Sequence, residues 1–153
     1  MLSGEDLYHT GIVVDDFEES LDRLAAQAGH VFAEPMKYDV RLRTPTGETT
    51  VELLVTYSCG TGPLIEVIRA VPGTHWLPVA GSGLHHLGYW SDDIDGDSAA
   101  LAAAGLPLEA AGLGPDDQVV YAYHYGEGGI RIELVDRAMK PVIDQWTSTP
   151  RQS

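Results

Sequence analysis

Basic residues are scarce in this chain. Its 153 residues hold 9 lysines and arginines against 23 aspartates and glutamates, a formal net charge of −14. Such a surface repels phosphate backbones, which argues against a nucleic-acid partner. An anionic small molecule would need a local cation. Cysteine is nearly missing as well. Cys59 stands alone, so no internal disulfide can form, and a reducing, cytoplasmic setting is expected. Residues 1–6 have neither a basic stretch nor an apolar run after it, which argues against a signal peptide. No apolar run approaches the roughly 20 residues needed to cross a bilayer, so no membrane partner is expected. What is present is ordinary for a folded protein: 44% apolar residues and a mean hydropathy of −0.08. That balance excludes a disordered chain. The length suits one domain, 1–153, or two half-domains that share a core.

The sequence repeats itself. Gly83-Leu84-His85-His86-Leu87-Gly88-Tyr89-Trp90-Ser91-Asp92-Asp93 reads as an apolar strand that carries a histidine into an acidic turn. An alanine-rich helical run and Gly105 follow. Leu7-Tyr8-His9-Thr10-Gly11-Ile12-Val13-Val14-Asp15-Asp16 says the same thing near the N-terminus, with a helical run ending at Gly29. His9 superposes on His86, Gly11 on Gly88 and Asp15-Asp16 on Asp92-Asp93, at one constant offset. Such self-similarity implies two copies of one unit.

In chain order, residues 7–14 form a strand. Asp15 or Asp16 caps a helix whose apolar face is Phe17, Leu21, Leu24 and Ala25. A short strand at 30–33 and strands at 38–43, 49–58 and 63–70 complete module 7–70, which reads β-α-β-β-β. Residues 71–83, rich in proline and glycine, form a linker. Module 84–136 repeats the order: a strand from 84, a helix over 95–104, a short strand at 106–110, a loop at 112–117, and strands at 118–125 and 130–136. A short helix over 139–146 and a loose tail over 147–153 end the chain.

Each unit has a histidine near the start of its first strand and a glutamate in the middle of its last. Glu66 lies within Leu64-Ile65-Glu66-Val67-Ile68, and Glu133 within Ile132-Glu133-Leu134-Val135. A carboxylate between branched apolar residues is costly to bury unless it is paired or bound to metal. Each glutamate alone suits a solvated strand face. Two of them, at equivalent places and each matched with a histidine, favour a metal site. Two imidazoles and two carboxylates suit a divalent ion such as Zn, Ni, Co, Mn or Fe(II).

With these motifs the chain resembles the vicinal oxygen chelate superfamily, which includes glyoxalase I, methylmalonyl-CoA epimerase, extradiol dioxygenases and the fosfomycin- and bleomycin-resistance proteins. The resemblance covers about 7–135. Gly-Leu-His-His-Leu followed by an acidic turn looks most like the epimerase branch. The resemblance implies an α+β fold of two tandem βαβββ modules whose mixed sheet forms a cup, with the metal inside. It maps the ligands onto His9, Glu66, His86 and Glu133, leaving about two coordination sites for water or a chelating substrate. Strand alternation puts His85 and His86 on opposite faces. That leaves His85 as a packing or surface histidine, or one that supports the site from behind. His30, His75 and His124 have no partner in the repeat and read as structural.

The implied chemistry is proton transfer next to a metal-bound carbonyl, by an isomerase, epimerase or lyase. Glu66, Glu133 and Glu48 are candidate bases; Glu48 precedes the long strand about where the epimerase keeps a catalytic glutamate, and reads equally well as an exposed turn residue. Glu52, Trp90, Tyr121 and Tyr123 are candidate pocket residues. Glu52 also suits a solvated face, and the aromatic residues also suit core or interface. No basic cluster matches a CoA phosphate site. A second reading is a protein that sequesters an aromatic natural product, as resistance members do. A third, an extradiol dioxygenase, uses two histidines and one glutamate and leaves the fourth ligand unexplained. A small-molecule ligand and a two-fold homodimer are expected, the dimer because edge strands of an open cup need cover.

Overall fold

In the computed structural model, which describes residues 1–152, a single-turn 3₁₀ helix at Gly4–Asp6 leads into β1 (Leu7–Val14). Helix α1 (Phe17–Ala28) starts where the Asp16 carboxylate accepts the Glu19 amide hydrogen, and Glu18 and Glu19 sit in its first turn. Both features favour a helix N-terminus. It ends at Gly29, whose φ of 71° suits a residue without Cβ. Phe17 and Leu21 bury its apolar face against Phe32 and Val67. Strands β2 (Met36–Thr44), β3 (Gly47–Tyr57) and β4 (Leu64–Arg69) complete the first unit. The second runs β5 (Leu84–Ser91), α2 (Ile94–Ala103), β6 (Leu108–Leu113), β7 (Val119–Tyr125) and β8 (Arg131–Asp136). A 3₁₀ turn (Arg137–Met139) and α3 (Lys140–Thr147) follow.

The eight strands close into one barrel in the order β1-β4-β3-β2-β6-β7-β8-β5. The halves meet twice. β1 and β5 run antiparallel through the middle. On the far side β2 pairs with β6 over Arg41–Arg43. The cup is therefore closed by that pairing, while residues 36–40 of β2 pair with β3 alone.

Three boundaries differ from expectation. Residues 30–33 form two isolated bridges, Phe32 to Ser58 and Ala33 to Pro150, in place of a strand. β6 extends to Leu113 because β2 offers it partners. The tail is anchored up to Arg151: its amide donates to the Phe32 carbonyl, and its guanidinium bonds Glu18 and Asp22 of α1. The acidic face of α1 attracts this cation. Ser153 lies outside the described residues. The linker is more than a spacer. Its Trp76 is fully buried in the main core with Val13, Leu42, Leu53 and Ile68, and its Nε1 donates to the Tyr123 hydroxyl at 3.2 Å.

Candidate functional site

The strand register builds the site. β1 and β4 are parallel with Gly11 opposite Glu66, and β5 and β8 are parallel with Gly88 opposite Glu133. Between β1 and β5, Gly11 faces His86 and His9 faces Gly88. Two rows therefore cross the four strands: Glu66, Gly11, His86 and, one step along, His9, Gly88, Glu133. In each row a glycine separates a histidine from a carboxylate. A Cβ added at Gly11 would lie 1.8 Å from Cε1 of His86, and one at Gly88 would lie 1.9 Å from Cε1 of His9. Each ring thus lies over the other unit's glycine and leans towards the carboxylate beyond it.

All four polar side chains are buried, and their donor atoms lie within 4.8 Å of one another. His9 Nε2 is 2.9 Å from His86 Nε2, 2.9 Å from Glu133 Oε2 and 3.5 Å from Glu66 Oε2. His86 Nε2 is 3.0 Å from Glu66 Oε2 and 3.2 Å from Glu133 Oε2. Both carboxylate oxygens nevertheless lack a partner in hydrogen-bond geometry. The lone pairs converge on a common point. Donors about 2.1 Å from an ion stand about 3.0 Å apart at right angles and about 3.4 Å apart at the tetrahedral angle. The five spacings match those values. Two neutral imidazoles and two carboxylates also balance a divalent charge. The residues therefore fit a divalent ion.

Without a metal the same groups neutralise one another. Burial disfavours a charged imidazole, but attraction to the Glu66 and Glu133 carboxylates outweighs it and lifts His9 to about 9. His86 is raised by the same carboxylates against the same penalty. Burial works against the Glu66 and Glu133 carboxylates and the histidines stabilise them, so both sit below the ordinary range.

His85 corrects the alternation argument. Ile12 pairs with Leu84 and Gly11 with His86, so His85 is the extra residue of a β-bulge. A bulge re-aims its side chain. His85 Nδ1 lies 2.9 Å from His86 Nδ1, and His85 Nε2 lies 2.8 Å from the carbonyl of His75. A carbonyl only accepts, so His85 Nε2 carries a hydrogen. Burial, first of all, holds His85 near 4, so the ring is neutral at pH 7 and its Nδ1 is an acceptor. His86 must then donate from Nδ1, which leaves its Nε2 lone pair facing the cluster. The chain of bonds assigns the tautomer a metal ligand needs. The first unit lacks this device. Tyr8 precedes His9 as His85 precedes His86, also as the extra residue of a bulge, but neither the Tyr8 hydroxyl nor His9 Nδ1 has a partner. His75 is not an isolated structural histidine, since its carbonyl anchors this chain. His124 is structural: it bonds Ser98 and the Leu106 carbonyl.

Glu66 and Glu133 border a cavity of about 310 Å³. Tyr121 and Tyr123 line it, joined by Tyr38, Tyr57 and Trp146. Met139, Val142 and Ile143, at and in α3, form another wall. Three candidates lie elsewhere. Leu53, Val55 and Tyr57 face the cavity, so side chains of even number on β3, including Glu48 and Glu52, project outwards. Glu48 is bound by Arg43 and Arg41, and Glu52 by Lys37 and Arg69. The Arg43 hydrogen bond, chiefly, holds the Glu48 carboxyl below its ordinary range. Trp90 points inwards but is covered. Its ring stacks on Tyr8 at 3.7 Å, away from the cavity lining. Glu48→Gln should therefore leave metal content and any turnover unchanged, as metal analysis and an activity assay would show; a loss above tenfold would return Glu48 to the site.

A closed barrel of two βαβββ units with a shared His/Glu tetrad inside defines the class: a barrel built by repetition around a buried cluster that could hold a metal ion. The sequence profile of the glyoxalase/bleomycin resistance protein/dioxygenase superfamily matches residues 8–123, and the chain belongs to that superfamily. No functionally curated protein matches it. Among solved structures it is similar to a methylmalonyl-CoA epimerase in complex with methylmalonyl-CoA and NH4+, with 17% identity and a TM-score of 0.60 over 89% of this chain and 95% of the other. It is also similar to methylmalonyl-CoA epimerase from Mycobacterium tuberculosis: 18% identity, TM-score 0.58, 93% and 96% covered. A hypothetical protein from Bacillus halodurans aligns at 16% identity and a TM-score of 0.57, with 85% and 92% covered. At these identities the likeness concerns the fold.

Proposed function

We propose that the chain is a metal-dependent isomerase or epimerase that moves a proton next to a carbonyl of a small molecule, with His9, Glu66, His86 and Glu133 holding the ion. The observation that carries this reading is the tetrad: four donors at equivalent places in two units, spaced for one ion, with its carboxylates facing a cavity. A divalent ion bound there polarises a carbonyl oxygen and acidifies the adjacent C–H. The histidines stand behind the carboxylates and anchor the centre from the β1–β5 pair. Glu66 and Glu133 come from different units and border the cavity together. An ionised carboxylate of the pair takes the α-proton and, now protonated, gives one back to the same carbon. The named reaction of the epimerase neighbours is of this kind.

The test is exchange. In D₂O a substrate should lose its α-hydrogen to solvent with metal-loaded protein and keep it with stripped protein. Retention of α-hydrogen by every carbonyl compound bound would sink the reading. The runner-up is sequestration of an aromatic compound, favoured by the cavity's tyrosines and by the outward placement of Glu48 and Glu52. It predicts binding without exchange.

His85 supplies a separate prediction. His85→Ala removes the acceptor that orients His86 without removing a ligand. Metal affinity should fall about 10–100-fold, the usual effect of losing a group behind a ligand. Chelator competition measures it, and His85→Gln, which can still accept, should recover part of the loss. Unchanged affinity in His85→Ala would show that the tautomer needs no such support.

A further inference from the structure

The ligand class can be narrowed beyond the proposed reaction. The cavity lining contains no lysine, arginine or histidine; its charged residues are Asp39, Glu66 and Glu133. The cavity rim is apolar and open to solvent: Met36 is 43%, Tyr38 38% and Val142 53% exposed, and all three line the cavity. Nor does a free cation stand nearby. Lys37 and Lys140, each next to a lining residue, are bridged to Glu52 and Asp144. The same holds for the whole chain. Arg23, Arg41, Arg43 and Arg69 pair with carboxylates, as do Arg131, Arg137 and Arg151. With the two lysines, these are all 9 basic residues of the sequence. A phosphate approaching the rim would meet a net charge of −14 and would have to displace a carboxylate from any cation it used. Exposed ion pairs are individually weak, but their number and the cation-free lining together disfavour a phosphate. Inside, Tyr57, Tyr121, Tyr123 and Trp146 offer ring faces and edges. Aromatic surfaces reward an aromatic guest beyond the area buried.

From this we infer that the cavity takes an uncharged, largely apolar aromatic carbonyl compound, in place of a phosphorylated thioester such as acyl-CoA. The inference rests on the proposed reading for the carbonyl, but the apolar, cation-free lining carries the rest. Affinity comes from burying the guest's rings, and its carbonyl oxygen is directed to the tetrad end, where the only buried charges of the lining lie.

The experiment titrates metal-loaded and metal-stripped protein with benzoin, a neutral aromatic α-hydroxyketone, and with methylmalonyl-CoA, following quenching of the Trp146 contribution to fluorescence. Trp146→Phe identifies that contribution. Benzoin is expected to bind metal-loaded protein at least tenfold more tightly than methylmalonyl-CoA. Val142→Lys, which adds an unpaired cation at an exposed rim position, should narrow or reverse that ratio. Benzoin binding equally well to loaded and stripped protein would uphold the apolar ligand class and overturn the metal-chelating reading. Methylmalonyl-CoA binding as tightly as benzoin to the unaltered chain would overturn the inference and leave the proton-transfer reading standing. Failure of benzoin to bind either form would also overturn it.

Discussion

Protein purified without chelator should carry close to one equivalent of divalent metal per chain, and Glu133→Gln should lose most of it. Four-ligand structural zinc sites bind with about 10–16 kcal/mol, so on that scale an even share is about 2.5–4 kcal/mol per ligand. Losing one ligand should then weaken affinity by about 10²–10³-fold. Glu133→Gln keeps the shape and one neutral oxygen, so it lies at the lower end; His9→Ala lies at the upper. Bound metal also stabilises the fold, by about 4 kcal/mol at a thousandfold excess over Kd. For a domain of this size each kcal/mol moves Tm by about 2–4 °C. Stripping should therefore lower Tm by about 8–16 °C, and metal should restore it. Metal analysis, chelator competition and thermal melts measure these effects. If both variants kept a full equivalent at unchanged affinity, the ion would be held elsewhere and the tetrad would be only a buried ion cluster.

Gly11→Ala should damage the protein as much as loss of a ligand, by a different route. The added methyl would fall inside the His86 ring, 1.8 Å from Cε1. Neither backbone can retreat, because β1 is paired on both sides, to β4 and β5, and β5 to β1 and β8. The ring must swing off the tetrad or the strands must part. Overpacking a well-filled interior costs about 1–3 kcal/mol, which is about 2–12 °C of Tm in this size range, and metal binding should fail with it. Gly88→Ala should do the same through His9. A double-mutant cycle separates this mechanism from a general intolerance of glycine replacement. Measured on metal-stripped protein, Gly11→Ala should cost little Tm in a His86→Ala background, where the obstructing ring is gone, and its full amount in a His9→Ala background. For Gly88→Ala the rescuer should be His9→Ala. A Gly11→Ala protein that melts normally and binds metal normally would refute this account of the two glycines.

The tetrad was legible in the one-dimensional chain for a particular reason. Repetition sends equivalent residues to equivalent strand positions, so His9 and His86, or Glu66 and Glu133, point inwards together once either does. An isolated mid-strand glutamate carries no such constraint. The superfamily follows from the same repeated motifs. So does the βαβββ order, because caps, breakers and apolar periodicity are local. The period of two on β3 was equally visible, and it ties Glu48 to Glu52. Which of its two faces is the inner one is not a local property. Only the barrel decides that, by burying Leu53 and Val55, and it leaves both glutamates outside with arginines for partners.

The remaining features depend on contacts between residues far apart in sequence. Gly11 and Gly88 matched in the repeat, but their purpose appears only when antiparallel β1–β5 pairing lays each beneath the other unit's histidine. Simple alternation sent His85 away from His86. One extra residue in β5 brings their rings together, and a bulge is a property of paired strands, which no single strand reveals. Closure of the cup through β2 and β6 likewise depends on the registers of strands in different units. The chain by itself determined which four side chains would cluster, because repetition and the cost of buried charge are written residue by residue. The tertiary structure alone decided how those side chains are oriented, what supports His86 and which carboxylates reach the cavity, because register, bulges and the inner face of a sheet exist only between strands.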